Sequence, residues 1–128
     1  PQTMQSMTDY EDVTAAVTDY FSDFAERAEQ AGVRDWILDP GFGFAKTLEQ
    51  NYQLLRDSGR FKALFPSRKL LVGVSRKSMV YRLLGITPEE SLPATQVLHL
   101  HALQNGADIL RVHDVEQAVQ TVSLYRML

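Results

Sequence analysis

The sequence has no cysteine, which excludes a disulfide framework, a thiolate zinc site and a cysteine nucleophile. A fold of this length must then rest on its hydrophobic core. The absence is compatible with a reducing compartment, and the cytoplasm is the expected location. Excess charge of one sign is also lacking: 13 Lys and Arg against 16 Asp and Glu leave a formal −3. That mild balance argues against nucleic acid or an anionic membrane as partner. No apolar run approaches the roughly 18 residues that cross a bilayer, and no signal peptide is visible. The GxGxxG, Walker and HExxH patterns and any Ser-His-Asp order are missing too. The chain opens on Pro1-Gln-Thr-Met4 without an initiator methionine, as expected of a processed, trimmed or truncated product.

What the 128 residues do contain, at 45% apolar and 23% charged, fits one globular domain in which helices and strands alternate. Thr8-Asp-Tyr-Glu11 is a capping box ahead of Val13, Val17, Phe21, Phe24 and Ala28 at helical spacing, and Gly32 is placed to end that helix. Trp36 to Leu38 predicts a short buried strand. Thr47 and Gln50 predict the start of a second helix that carries Tyr52, Leu54 and Leu55 and ends near Gly59. Leu70 to Val74 predicts a strand, followed by a short helix through Met79, Leu83 and Leu84 that stops at Gly85. Thr87-Pro-Glu-Glu90 predicts a helix start, and a further helix runs from about Pro93 to Gln104. The last units are a strand, Asp108 to Val112, and a helix capped by Asp114 with Gln117. The order α-β-α-β-α-α-β-α is that of a parallel sheet.

Leu70, Val72 and Val74 alternate with Leu71 and Gly73, so this strand is apolar on both faces, as in parallel sheets covered by two layers. Right-handed crossovers between three strands, however, place the helices on one face only. The other face needs a cover, either from a barrel closing on itself or from a second copy. The expected fold class is α/β: about three parallel strands with their helices, the C-terminal part of a (β/α)₈ barrel and thus an incomplete one.

Three polar segments interrupt apolar runs where strands should end, and loops after parallel strands share one rim. In Asp39-Pro-Gly-Phe-Gly-Phe-Ala-Lys46, the carboxylate can accept paired N–H donors from a heterocycle, or it can simply close an Asx turn. One of Phe42 and Phe44 can pack inward while the other walls a ligand; Lys46 is expected to be a solvated helix-start lysine. Ser75-Arg-Lys-Ser78 is expected to open a helix whose N-terminus attracts a carboxylate or phosphate. Arg111 and His113 alternate on an extended stretch and point to one side, an arrangement suited to a leaving pyrophosphate. The plainer alternative pairs Arg111 with a barrel carboxylate and makes His113 a helix-start cap. Asp114 is expected to be a cap, and His99 and His101 to be surface or interface residues.

Taken in this order, Pro1-x-Thr-Met-Gln5, Leu38-Asp-Pro-Gly-Phe-Gly-Phe44 with Lys46, Leu71-Val-Gly-x-Ser-Arg-Lys-Ser78 and Arg111-Val-His-Asp-Val115 resemble the dihydropteroate synthase family of pterin-binding barrels. The resemblance covers essentially the whole chain. It implies condensation of 6-hydroxymethyl-7,8-dihydropterin pyrophosphate with p-aminobenzoate to dihydropteroate and pyrophosphate, with sulfonamides competing for the aminobenzoate pocket. It implies Asp39, Gly73 and Lys77 as pterin contacts, Phe44 and Ser78 as aminobenzoate contacts, and Arg111 and His113 as pyrophosphate ligands. Lys77, Arg111 and His113 would then be catalytic, with Arg76 in support. Ala45 stands where the family often has glycine.

The resemblance begins after the family's fifth strand. The protein ligand of Mg²⁺, two further pterin-binding residues and the loops over the aminobenzoate would therefore lie outside this chain. The chain alone is expected to hold no Mg²⁺ and to be inactive, and the family implies a homodimer through the last helices. Two other readings stand beside this one. A pterin-binding methyltransferase barrel would have no need of Ser75–Ser78 or of an Arg111/His113 site. A non-catalytic, self-associating module would use Leu98, Leu100, Leu103, Val119, Val122 and Leu124.

Overall fold

Residues 12–43 and 45–128 are described by the structure, a computed structural model. The capping box at Thr8 to Glu11 and the Pro1 to Gln5 motif lie outside the described residues. Helix α1 (Val13–Ala31) starts where the Asp12 carboxylate accepts the Ala15 N–H at 3.1 Å. It ends at Gly32, whose φ of +76° turns its N–H back onto the Ala28 and Glu29 carbonyls.

The single helix expected to end near Gly59 is two helices, α2 (Leu48–Arg56) and α3 (Ser58–Leu64). Thr47 and Gln50 close the capping box on α2. The break falls at Asp57, whose carboxylate accepts the Thr14 hydroxyl of α1 at 2.8 Å, while the Ser58 hydroxyl donates to the Leu55 carbonyl at 2.9 Å. Gly59 does not terminate anything. It lets α3 approach Asn105, whose side-chain oxygen would be 3.2 Å from a Cβ at that position.

Strands β1 (Leu71–Val72) and β2 (Ile109–Leu110) pair in parallel, Leu71 opposite Ile109, and Leu38 joins through one parallel bridge to Leu70. Three parallel segments are thus present with the Leu70–Val72 stretch in the middle. They are shorter than the apolar runs, because the ladder stops at the Arg111 N–H bond to the Val72 carbonyl (3.1 Å), where the polar rim begins. Helix α4 (Ser78–Leu84) follows β1. Thr87 and Glu90 do form a capping box, but on a 3₁₀ turn at Pro88–Ser91, and α5 (Leu92–Gln104) begins immediately after it. Helix α6 (Val115–Tyr125) follows β2.

Side chains alternate along the strands, and that alternation sorts them. Leu38, Leu70, Val72 and Val74 are all fully buried and pack with Val13, Leu54, Phe61 and Met79 from the helices. On the opposite face Ile37 is 44% exposed, and Leu71 and Ile109 are half-buried. The helices cover one face, as the crossover rule requires, and the other is left apolar and open. At the N-terminal ends of the strands Trp36 packs edge-on against Phe24 at 5.3 Å, with the Arg68 guanidinium 4.1 Å above its ring.

Neither histidine of α5 is a surface residue. His99 follows Thr95 by one turn and precedes Ala102, both buried, so its ring enters the core at 2% exposure. Both its ring nitrogens lack a hydrogen-bond partner, and burial lowers its pKa. His101 is half-buried, its Nε2 lying 3.2 Å from the Leu55 carbonyl. Unfolding frees His99 to take up a proton at its ordinary pKa of 6.5. Its contribution to stability is therefore complete above that pH and is lost as the pH falls from there toward the folded value. Denaturant unfolding at pH 7.5 and 5.5 checks this. Relative to His99→Leu, the wild-type chain should lose about 1 kcal/mol more over that interval.

Candidate active site

The three polar segments do meet on one rim. Asp39 follows Leu38 into a Pro40-Gly41 turn, where Gly41 takes a φ of +76° that favours glycine. One carboxylate oxygen of Asp39 accepts the Gly41 N–H at 3.0 Å, closing an Asx turn, and the other accepts from Arg111 Nη1 at 3.1 Å. The Asx turn and the ion pair coexist, since each uses a different oxygen. Arg111 reaches across the middle strand to do this, and it needs Gly73 beneath it. A Cβ on Gly73 would lie 2.6 Å from Arg111 Nη2. The plainer alternative for Arg111, pairing with a barrel carboxylate, is what the structure shows, and the carboxylate is Asp39 itself.

Lys77 approaches the same cluster from the second loop and donates its amine to the Phe42 carbonyl, which ties the two loops together. Its pKa is lowered first by burial and then by Arg111, against the opposing pull of Asp39. Lys46 is not solvated as expected. It is half-buried, donates to the Gly41 carbonyl, and has its pKa lowered by burial despite the nearby Asp39. Phe42 is the inward ring, 4% exposed and in the core; Phe44 lies outside the described residues.

The Ser75-Arg-Lys-Ser78 segment is a turn before a helix rather than the helix itself. Lys77 is the N-cap position, and α4 starts at Ser78. Arg76 takes a φ of +53° and forks onto Asp114, Nε to Oδ2 at 3.0 Å and Nη2 to Oδ1 at 2.6 Å. This bidentate pair accounts for the missing cap: Asp114 holds the N-cap position of α6, yet its side chain makes no capping bond there. The hydrogen bond from Arg76 holds the Asp114 carboxyl below its ordinary pKa. His113 lies over Ser75, Nδ1 to the hydroxyl at 3.0 Å, and its backbone N–H donates to the same oxygen at 3.3 Å. Sequence reasoning missed two contributors. The Ser75 hydroxyl supports His113, and Asn51, 2% exposed, bonds to the backbone of Gly43. The signal for Asn51 is a short amide on the apolar face of α2, one turn before Leu54 and Leu55.

Among the described residues no group of three or more His, Cys, Asp or Glu is placed to hold a metal ion, and no helix there is long and apolar enough to cross a membrane. A carboxylate with three cations about it thus stands at the C-terminal rim of the parallel strands, the end at which the loops of an α/β barrel converge. The chain belongs to the pterin binding enzyme family, whose profile it matches over residues 1–113.

Several relatives that it matches are named dihydropteroate synthase. The dihydropteroate synthase of Escherichia coli is 44% identical over 124 residues, covering 95% of this chain and 43% of the relative. The solved dihydropteroate synthase of Thermus thermophilus superposes with a TM-score of 0.90 at 39% identity, over 100% of this chain and 51% of that one. That protein has also been solved with 6HMPPP and with 4-aminobenzoate. The Yersinia pestis enzyme, solved with a sulfonamide drug, gives 0.89 at 36% identity, over 97% and 45%. The fold is that of part of a (β/α)₈ barrel, and the chain spans about half the length of the relatives it matches.

Gly73→Ala tests the packing of Arg111. The clash falls on the flexible end of a long side chain, so the guanidinium should move and the fold should hold, with stability changed by less than about 1 kcal/mol. The measurement is the Arg111 side-chain resonance beside a thermal melt. A shifted resonance with an unchanged melt is the expected result.

Proposed function

We propose that this chain is the C-terminal portion, as one domain over residues 1–128, of a cytoplasmic dihydropteroate synthase. The whole enzyme would join 6-hydroxymethyl-7,8-dihydropterin pyrophosphate to p-aminobenzoate, giving dihydropteroate and pyrophosphate. The observation that carries the reading is the Asp39–Arg111 contact over Gly73, with Lys77 alongside. The 2-amino-pyrimidinone edge of a pterin is a guanidine-like row of N–H donors. The guanidinium of Arg111 lies against Asp39 and Gly73, and a pterin edge, with the same row of donors, would compete for that place. A pterin carrying pyrophosphate would supply both exchanges at once: its ring edge replaces Arg111 on Asp39, and its pyrophosphate draws Arg111 toward His113.

The remaining roles are those that the resemblance implies. As the carbon–oxygen bond to pyrophosphate breaks, its electron pair leaves on the anion, and Arg111 with His113 stabilises that charge. The aromatic amine then attacks the pterin methylene and loses a proton. Lys77 contacts the pterin and flanks the aminobenzoate. Ser78 at the start of α4 and Phe44 serve the aminobenzoate, where sulfonamides would compete, and Arg76 fixes the second loop through Asp114. Mg²⁺ would accompany the pyrophosphate with its protein ligand outside this chain; the described residues offer no acidic set for it.

Three parallel segments with one bare face are not a closed barrel, so the 128-residue polypeptide alone should not turn over substrate. The test is a pyrophosphate-release assay on this chain alone and refolded with the first half of the Escherichia coli relative, whose own two halves serve as the reassembly control. Expected is no release from either piece, release that a sulfonamide inhibits from the pair, and a loss of at least about a hundredfold in Arg111→Ala, the scale of removing one charge-stabilising donor. A silent pair beside an active control would overturn the reading.

A homodimer through the last helices is the second part of the proposal. Val115, Val119 and Leu124 of α6 are 65%, 57% and 68% exposed, apolar surface that a second copy could cover. Leu103, counted with them from sequence, is 8% exposed and belongs to the core instead. Light scattering should give a dimer for the wild type and a monomer for Val119→Asp.

A further inference from the structure

We infer that Asn51 is the positioning residue for the amine of Lys77, acting through the single peptide group between Phe42 and Gly43. The inference starts from the burial of Asn51. At 2% exposure on the core side of α2, a carboxamide must find partners for both of its ends. It finds them mostly on one residue: Oδ1 accepts the Gly43 N–H at 3.1 Å, and Nδ2 donates to the Gly43 carbonyl at 3.0 Å and to the Thr47 carbonyl at 3.2 Å. This is the pairing one residue would receive from a neighbouring strand, supplied by a side chain from a helix.

The consequence comes from peptide planarity. The N–H of Gly43 and the C=O of Phe42 belong to one rigid plane, and in a trans peptide they point in opposite directions. No cis peptide is present among the described residues. With the N–H fixed toward Asn51, the carbonyl is fixed toward the rim, and it is there that Lys77 donates its amine. The chain of contacts runs Asn51 Oδ1, Gly43 N–H, Phe42 C=O, Lys77 Nζ. Freed from Asn51, a peptide flanked by glycine could rotate and withdraw the acceptor. Lys77 would then lose the anchor that holds it beside Asp39 and Arg111. Asn51 touches no substrate in this scheme; it sets where the lysine stands.

The importance of Lys77 rests on the function proposed above, but its position can be read without turnover. The probe is acetic anhydride at pH 8 on the full 128-residue chain, with acylation of each lysine measured by peptide mass spectrometry. Lys62, held by Asp108 at 2.8 Å, and exposed Lys69 are the references. Asn51→Leu should raise acylation of Lys77 about fivefold over both references, the scale of losing one hydrogen bond. An unchanged Lys77 in Asn51→Leu, or an equal rise at every lysine, overturns the inference. If Asn51→Leu does not fold, amide exchange of Gly43 in the wild-type chain decides. Exchange at least about tenfold slower than in an unstructured peptide supports the clamp, and unslowed exchange overturns it. A failed reassembly assay leaves these labelling results standing, and a failed labelling result leaves the assay standing.

Discussion

The middle strand governs everything else in the molecule. Its even-numbered side chains, Leu70, Val72 and Val74, are fully buried against the helices. Its odd-numbered positions, Leu71, Gly73 and Ser75, turn toward the bare face and the rim. That alternation fixes where chemistry can occur, because a charged group can lie across the strand only where a residue is small. Gly73 is that residue, and Arg111 uses it to reach Asp39 on the far neighbour. A single glycine in the centre of the sheet thus joins the packing of the core to the electrostatics of the site.

Around that contact the site is closed on itself. Asp39 is divided between Gly41 and Arg111, Lys46 and Lys77 are spent on the carbonyls of Gly41 and Phe42, and Arg76 is bound to Asp114. Like charges are thereby held close together, each partly satisfied by a neighbouring oxygen. On the function proposed above, an anion with a hydrogen-bonding ring would exchange partners with this network rather than fill an empty space. The exposed Asp39–Arg111 pair contributes little to stability, so its exchange is cheap.

Much of this was legible in the amino-acid order. Alternating capping boxes and apolar runs gave the helix–strand order, and the crossover rule predicted the one bare face. That the segments holding Asp39, Lys77 and Arg111 would meet on one rim was readable from three polar interruptions at strand ends. What sequence could not show were contacts between elements distant along the chain. The split at Asp57 depends on Thr14, the lost cap at Asp114 depends on Arg76, and the burial of Lys46 depends on the fold of its own glycine loop. His99 misled for a different reason. Its spacing from Thr95 and Ala102 placed it on the core face of α5, but a titratable ring with no partner is a poor core residue on general grounds.

Trp36 is the only indole in the sequence, and it is packed at the end of the sheet remote from the rim, between Phe24 and the Arg68 guanidinium. The intrinsic fluorescence of the chain therefore arises from one spot where α1, the Leu38 segment and the approach to β1 come together. It is a gauge of whether the foot of the fold is assembled, insulated from events around Asp39. Loosening at that foot and rearrangement at the rim can be followed as separate optical and chemical signals in the same sample.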